Sequence, residues 1–169
     1  MSQSTTPASA QMRERVVRRL TAMVGVSVTA QTVIFLALSW AYRFISQYGL
    51  EAVARASGGK MAGATDLIAT ILLLVLELFT ALAVGFIASR RLLRSILRAT
   101  PPPMKPPTRP IPWASLSAAI AIVVISILAH ASGQDPMPSV GWTFEIARDA
   151  AVVALFWIGS VRAVGPRVA

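Results

Sequence analysis

One acidic residue, Glu77, stands in the centre of an otherwise uncharged apolar run and is the residue best placed to do chemistry in this sequence. It is the eleventh of the 22 residues from 67 to 88, so a membrane-spanning helix would carry it at the bilayer midplane. An isolated carboxylate at that depth costs about 3 kcal/mol or more. We therefore expect Glu77 either to carry a proton or to face polar groups inside a helical bundle.

Three further polar side chains are candidate partners of Glu77 in an ion- or proton-handling site. Gln31 is the twelfth residue of the uncharged run from 20 to 41, which predicts a similar depth in the bilayer. Trp157 carries an indole N–H near the middle of the last apolar stretch. Thr80 lies three residues after Glu77, on the same helical face. These residues predict a polar site at the level of Glu77.

Two interpretations of this site stay open. In the first, Glu77 gains and loses a proton or binds a cation, as in a small coupled transporter. In the second, a neutral Glu77 makes an interhelical hydrogen bond that holds the bundle or a partner subunit together. Ala81 and Gly85 continue the face of Glu77 and Thr80, and small residues let a second helix approach closely. We expect this face to point inward, and we expect a protein partner or a second copy to bind through such small-residue faces.

The residues that enzymes use most often are nearly absent from this sequence. It contains no cysteine and a single histidine, His130, so thiolate metal sites, disulfides, bis-histidine haem and multi-histidine zinc sites cannot be built from one chain. It also lacks a phosphate-binding loop, a dinucleotide-binding glycine motif, a nucleophile elbow and a zinc-protease motif. We therefore predict a non-enzymatic protein without a cofactor or a bound metal.

Four transmembrane helices are the elements expected to position these residues. Hydrophobic residues make up 55% of the 169 residues and charged residues only 14%, against about 25% in soluble domains. Four stretches approach the length that a spanning helix needs, namely 20–42, 67–88, 111–130 and 147–165. The fourth is the weakest, because Arg148 and Asp149 lie at its start and Arg162 near its end. The predicted fold is an all-α integral membrane protein built as two helical hairpins.

Basic residues are distributed unevenly between the segments that flank these helices. Twelve lie in the segments 1–19 and 89–110 or near the C-terminus, whereas four lie in or beside the segments 43–66 and 131–146. The densest groups are Arg13, Arg15, Arg18 and Arg19 before the first helix and Arg90, Arg91, Arg94 and Arg98 after the second.

Basic residues stay on the cytoplasmic side of a membrane and meet anionic lipid there. We therefore expect both termini, including the tail 166–169, and the segment 89–110 to be cytoplasmic. The composition, rich in alanine and arginine, favours a bacterial inner membrane. Because the charges sort by membrane side, the net charge of +9 points to lipid as the partner and not to nucleic acid.

The segment 89–110 combines an amphipathic helix with a proline-rich stretch. Its arginines recur every four residues at 90, 94 and 98, and they leave Leu93, Ile96 and Leu97 on another face. Seven of the chain's 11 prolines lie between 101 and 112, which predicts an extended, stiff segment. We expect a spacer between two hairpins, with a docking site for a partner as the alternative.

These features together predict a small four-span protein that serves as an accessory, assembly or regulatory subunit of a membrane complex. The first alternative is a small proton- or cation-coupled transporter that uses Glu77. The second is a membrane signalling or docking protein that uses the basic, proline-rich segment.

Overall fold

The computed structural model describes residues 7–56, 62–100, 107–132 and 142–165. These residues form four helices, which are α1 (Pro7–Ala56), α2 (Ala62–Ala99), α3 (Pro110–Ala131) and α4 (Trp142–Val164). The described residues contain no strand, so the predicted all-helical fold is confirmed for this part of the chain.

Three of the four helices are long and apolar enough to cross a membrane. The stretches are Glu14–Ser46, Leu67–Ala99 and Pro110–Ala129, with mean hydropathies of 1.8, 2.6 and 2.3. Helix α4 has the length but is not among them, since Arg148, Asp149 and Arg162 interrupt its apolar run. A membrane protein is therefore supported by α1, α2 and α3, whereas a spanning role for α4 is a separate proposal.

Helices α1 and α2 are much longer than the apolar runs inside them. At about 1.5 Å per residue, the 50 residues of α1 extend over about 75 Å and the 38 residues of α2 over about 57 Å. Much of the segment 43–66, expected as an outer loop, is therefore helical, with α1 continuing to Ala56 and α2 beginning at Ala62. At its other end α2 continues through the basic segment to Ala99.

Local chemistry explains where the helices begin and end. Beyond α2, Thr100 donates both its backbone N–H and its hydroxyl to the carbonyl of Ile96, and the prolines that follow cannot continue a helix. Helix α3 opens with Pro110, whose missing N–H costs little in a first turn. Helix α4 ends at Val164 and is followed by Gly165, whose φ of 74° is the left-handed conformation that favours glycine.

The helices pack so that α1 and α4 lie diagonally opposite each other, each between α2 and α3. Sequential helices are antiparallel, so α2 and α4 run parallel. These two cross at Gly85 and Gly159, where an added Cβ on Gly85 would lie 2.7 Å from the carbonyl oxygen of Phe156. An added Cβ on Gly159 would lie 2.5 Å from the carbonyl oxygen of Leu82. Glycine at both positions therefore permits a backbone approach that alanine would block.

The interior of the bundle is unusually polar and its surface unusually apolar. A central cluster of six buried residues (Phe35, Ala81, Ala119, Ile122, Val152 and Phe156) joins all four helices. A second cluster joins Leu92 and Ile96 of α2 to Ile111 and Ala114 of α3. Eight polar or charged residues of the described part of the chain are nevertheless buried, while large aliphatic and aromatic side chains are exposed along every helix. Contiguous exposed apolar surface of this kind is typical of proteins that contact a membrane or another protein.

Candidate functional site

Glu77 lies inside the bundle with polar partners from two other helices. Its carboxylate oxygen Oε1 accepts a hydrogen bond from the hydroxyl of Ser39 and another, at 3.3 Å, from Nε of Arg43. Its second oxygen, Oε2, lies 4.0 Å from Nε of Arg148 on α4. Both oxygens of this carboxylate therefore face guanidinium groups.

Helix geometry explains why residues from distant turns converge here. Side chains on an α-helix lean toward its N-terminus. On the antiparallel helices α1 and α2, the side chains of Arg43 and Glu77 therefore lean toward each other. The side chains of Glu77, Arg43 and Arg148 are only 4%, 12% and 10% exposed. An ion pair removed from water to this extent is screened much less than a surface pair.

Arg148 extends this cluster to the remaining helix and to a second acid. Its Nη2 donates to Oδ1 of Asp149 at 3.0 Å and to the hydroxyl of Ser126 on α3 at 3.0 Å. Side chains from all four helices therefore meet at one level. Two carboxylates and two guanidiniums balance the charge, which lowers the cost of burying any one of them. We call Ser39, Arg43, Glu77, Ser126, Arg148 and Asp149 the ion-pair cluster.

A cavity of about 280 Å³ lies beside the ion-pair cluster. Polar groups of the cluster line one part of it, and the apolar side chains of Phe35, Ile122 and Val152 line another. The volume is close to the lower end of known ligand pockets, about 300 Å³. Among the described residues, no group of three histidine, cysteine, aspartate or glutamate side chains could hold a metal ion there.

Gln31 belongs to a second buried polar network. Its side-chain oxygen accepts a hydrogen bond at 2.9 Å from Ser115 on α3, and its amide nitrogen donates to Ser27 at 3.1 Å. The hydroxyl of Ser115 also lies 3.0 Å from that of Ser89 on α2. Gln31, Ser89 and Ser115 are fully buried, so this network ties three helices together away from water.

The structure does not bring the four predicted site residues together. On α3, Ser115 contacts Gln31, whereas Ser126 contacts Arg148 of the ion-pair cluster. These two serines are 11 residues apart, so Gln31 and Glu77 lie about 16 Å apart along the bundle. Thr80 is closer to Glu77, but its hydroxyl pairs with that of Tyr42 at 3.2 Å. The ring of Trp157 packs edge-on against Trp113, with 6.0 Å between centroids.

The arginines predicted to set the topology lie along the N-terminal part of α1 and the C-terminal part of α2. Because these helices are antiparallel, both groups lie at the same end of the bundle. The described side chains (Arg15, Arg18, Arg19, Arg90, Arg91, Arg94 and Arg98) are all exposed. Arg18 pairs with Glu14 at 3.3 Å, and Arg90 lies 5.1 Å from the ring centre of Phe86.

Several predicted features lie outside the described residues. These are the side chain of Arg13, the N-terminal residues 1–6, the prolines from 101 to 106, the loop 133–141 and the tail 166–169. Docking through the proline-rich stretch therefore stays a prediction.

Arg43, Arg148 and Asp149 are site residues that the sequence did not connect with Glu77, since Arg43 belongs to the segment 43–66 and the other two lie at the start of the fourth predicted span. The apolar run 67–88 contains no basic residue, so a buried Glu77 required a counterion from another segment of the chain. The long guanidinium side chains supply it by reaching back into the bundle from near the ends of the apolar runs.

Compared with known proteins, this chain matches no family model, no curated sequence and no solved structure. Its function must therefore be inferred from the geometry of its own residues.

Proposed function

We propose that this chain is a four-span integral membrane protein that acts as a non-enzymatic accessory or assembly subunit of a membrane complex. Helices α1 to α4 cross the bilayer, with both termini and the segment 89–110 in the cytoplasm. The exposed apolar side chains on every helix and the twelve basic residues on one side support this arrangement. A bacterial inner membrane is the proposed location.

The fourth span is supported by the ion-pair cluster. The charges of Arg148 and Asp149 at the start of α4 would oppose insertion if they faced lipid. Instead these two side chains pair with each other, and Arg148 also faces Glu77 within the bundle. Once these two residues are counted as internal, α4 carries no charge from Ala150 to Val161, and Arg162 can extend its charge toward the headgroups.

The observation that carries the proposed subunit role is the pairing of Glu77 with two arginines. A carboxylate that exchanges protons or cations must become free during each cycle. Here Ser39 and Arg43 bind one of its oxygens and Arg148 faces the other. This arrangement favours a fixed crosslink between α1, α2 and α4 over a mobile carrier group.

The α1–α2 hairpin supplies a surface for a partner beyond the four-helix bundle. From the ion-pair cluster, α1 continues for 13 residues after Arg43, while α3 continues for only 5 after Ser126. The difference corresponds to about 12 Å of projecting helix. On α2, 15 residues precede Glu77, against 6 before Arg148 on α4. Tyr48 lies at the base of the projecting part of α1, level with the end of α3, and is exposed.

Quantitative co-purification tests the proposed subunit role. The tagged chain is extracted in mild detergent, and the abundance of membrane proteins that accompany it is measured by mass spectrometry. We expect one or a few proteins at a fixed ratio to the chain. We expect Tyr48→Ala to lower that ratio and Trp113→Ala, an exposed aromatic residue on α3, to leave it unchanged. If no other protein accompanies the chain at a fixed ratio, the proposal is contradicted.

A coupled transporter is the second candidate, and the cavity beside the ion-pair cluster is the observation that favours it. This function requires Glu77 to exchange a proton. Difference infrared spectroscopy between two pH values would then reveal a carboxyl band that disappears in Glu77→Gln. If that substitution removes no band at any pH, a transporter coupled to protons through Glu77 is eliminated and the subunit role is retained.

A further inference from the structure

A groove of about 710 Å³ runs along the outer surface of the α1–α2 hairpin, and all of the described residues that line it belong to these two helices. Small side chains, among them Ala30 and Ala83, line it and leave the space between the helices unfilled. Val26, Ile87 and Phe79 also line the groove and are largely exposed. The volume lies within the range of about 300–1,000 Å³ that is usual for ligand pockets.

Two arginines, Arg19 of α1 and Arg91 of α2, lie at one end of this groove. Among the described residues, neither guanidinium has a hydrogen bond or a salt bridge, whereas the adjacent Arg18 pairs with Glu14. Ser95 also lines this end, but its hydroxyl already donates to the carbonyl of Arg91, so the two guanidiniums are the donors available to a ligand there. The groove is therefore mostly apolar along its length, although Ser27, Gln31, Tyr42 and Thr80 also line it, and it is positive at one end.

We propose that the groove binds one anionic phospholipid, with an acyl chain along the apolar lining and the phosphate between Arg19 and Arg91. Guanidinium groups bind phosphate through charge-assisted, often bidentate hydrogen bonds. The acyl chain fills space that the small side chains leave open, and such packing is what holds apolar groups together inside a bilayer. The inference rests on the membrane location proposed above.

Charge complementarity favours a lipid over a second copy of the chain as the occupant. Two copies that met through this groove about a two-fold axis normal to the membrane would place their arginine ends on the same side. Arg19 and Arg91 of each copy would then lie near those of the other, and like charges in proximity oppose association. An anionic headgroup neutralises the same two charges.

Native mass spectrometry of the purified chain in nonionic detergent tests this site. Phosphatidylglycerol is added in steps, and phosphatidylcholine with the same acyl chains is added in a parallel series. We expect one phosphatidylglycerol to bind in preference to phosphatidylcholine. We expect the pair Arg19→Gln and Arg91→Gln to weaken phosphatidylglycerol binding by about tenfold or more.

The matched control is the pair Arg15→Gln and Arg94→Gln, which removes the same charge from exposed positions that do not line the groove. We expect it to leave binding nearly unchanged. Filling the groove with Ala30→Phe should abolish binding of the lipid, whereas Ala37→Phe, at an exposed position of α1 outside the groove, should not. Helix content by circular dichroism verifies that each variant remains folded.

Three outcomes would overturn the proposal. The first is equal binding of the two lipids, and the second is an equal loss in both arginine pairs, which would indicate general attraction to negative charge. The third is a dimer that Ala30→Phe dissociates, which would identify a second copy as the occupant. Inorganic phosphate should not compete at concentrations equal to the lipid, because it offers no acyl chain. Since this test uses the purified chain alone, its failure is distinguishable from a failure to find a partner protein.

Discussion

The ion-pair cluster makes a quantitative prediction for the substitution Glu77→Gln. The substitution keeps the shape of the side chain and an oxygen that can accept from Ser39, but it removes the charge that Arg43 and Arg148 face. Arg148 retains Asp149 as a counterion, whereas the buried pair between Arg43 and Glu77 is lost. Removing one partner of a buried pair costs about 3–5 kcal/mol. We expect a loss near the lower end, about 3 kcal/mol, because hydrogen bonds through the amide remain.

A double-mutant cycle separates this effect from a general loss of packing. The variant that combines Glu77→Gln with Arg43→Gln restores neutrality, and we expect it to be more stable than the sum of the single changes by about 2 kcal/mol. The control is Glu14→Gln, which breaks the pair with Arg18, whose side chains are 72% and 84% exposed. We expect that substitution to cost about 0.5 kcal/mol or less.

Stability is measured by titrating dodecyl sulfate into protein held in maltoside micelles and following tryptophan fluorescence. The cluster account predicts a large shift of the transition midpoint for Glu77→Gln, a partial recovery in the double variant and almost no shift for Glu14→Gln. Equal shifts for Glu77→Gln and Glu14→Gln would refute the reasoning, as would strict additivity in the cycle.

Other contacts predict further losses of stability in the same assay. Gly85→Ala places a Cβ against a backbone carbonyl at 2.7 Å, and we expect it to cost about 1–3 kcal/mol. Gly25→Ala, where a Cβ would meet nothing within 4 Å, should instead stabilise α1 by about 0.5–1 kcal/mol, and a loss there would contradict the account. Ser115→Ala removes the hydroxyl that donates to buried Gln31 and should cost about 1–3 kcal/mol. Ser95→Ala is its control, since that exposed hydroxyl only donates to the carbonyl one turn earlier.

The inward face of α2 could be predicted from the sequence because its residues recur with helical spacing. Glu77, Thr80 and Ala81 are almost completely buried, and Gly85 lies against the backbone of α4. The partner of this face could not be predicted, since spacing along one helix does not identify the helix that packs against it. The structure covers this face with α1 and α4 of the same chain, so a second copy of the chain would need another surface.

The partners of Glu77 could not be predicted because the depth of each residue in the bilayer was inferred from its position within an uncharged run. That count assumes that a helix begins and ends with its apolar run. Helix α2 instead begins at Ala62, and the cluster forms only seven residues into α4, at Arg148. Gln31 and Glu77 therefore lie at different levels, although each is central in its own run. Arginines from near the ends of the apolar runs also contact Glu77, and a division of the sequence into spans and loops does not predict such contacts.

Accessibility of single cysteines in intact cells tests the central claim most directly, since the natural sequence contains no cysteine that could react in their place. Cysteines are introduced one at a time at Arg15, Ala52, Arg94, Ser132 and Ala169, and the cells are treated with a membrane-impermeant maleimide. Four spans with both termini inside predict labelling at Ala52 and Ser132, with Arg15, Arg94 and Ala169 protected until the cells are opened. Labelling at Arg94 with protection at Arg15 would contradict the first hairpin, and labelling at Ala169 with protection at Arg94 would contradict α4 as the fourth span.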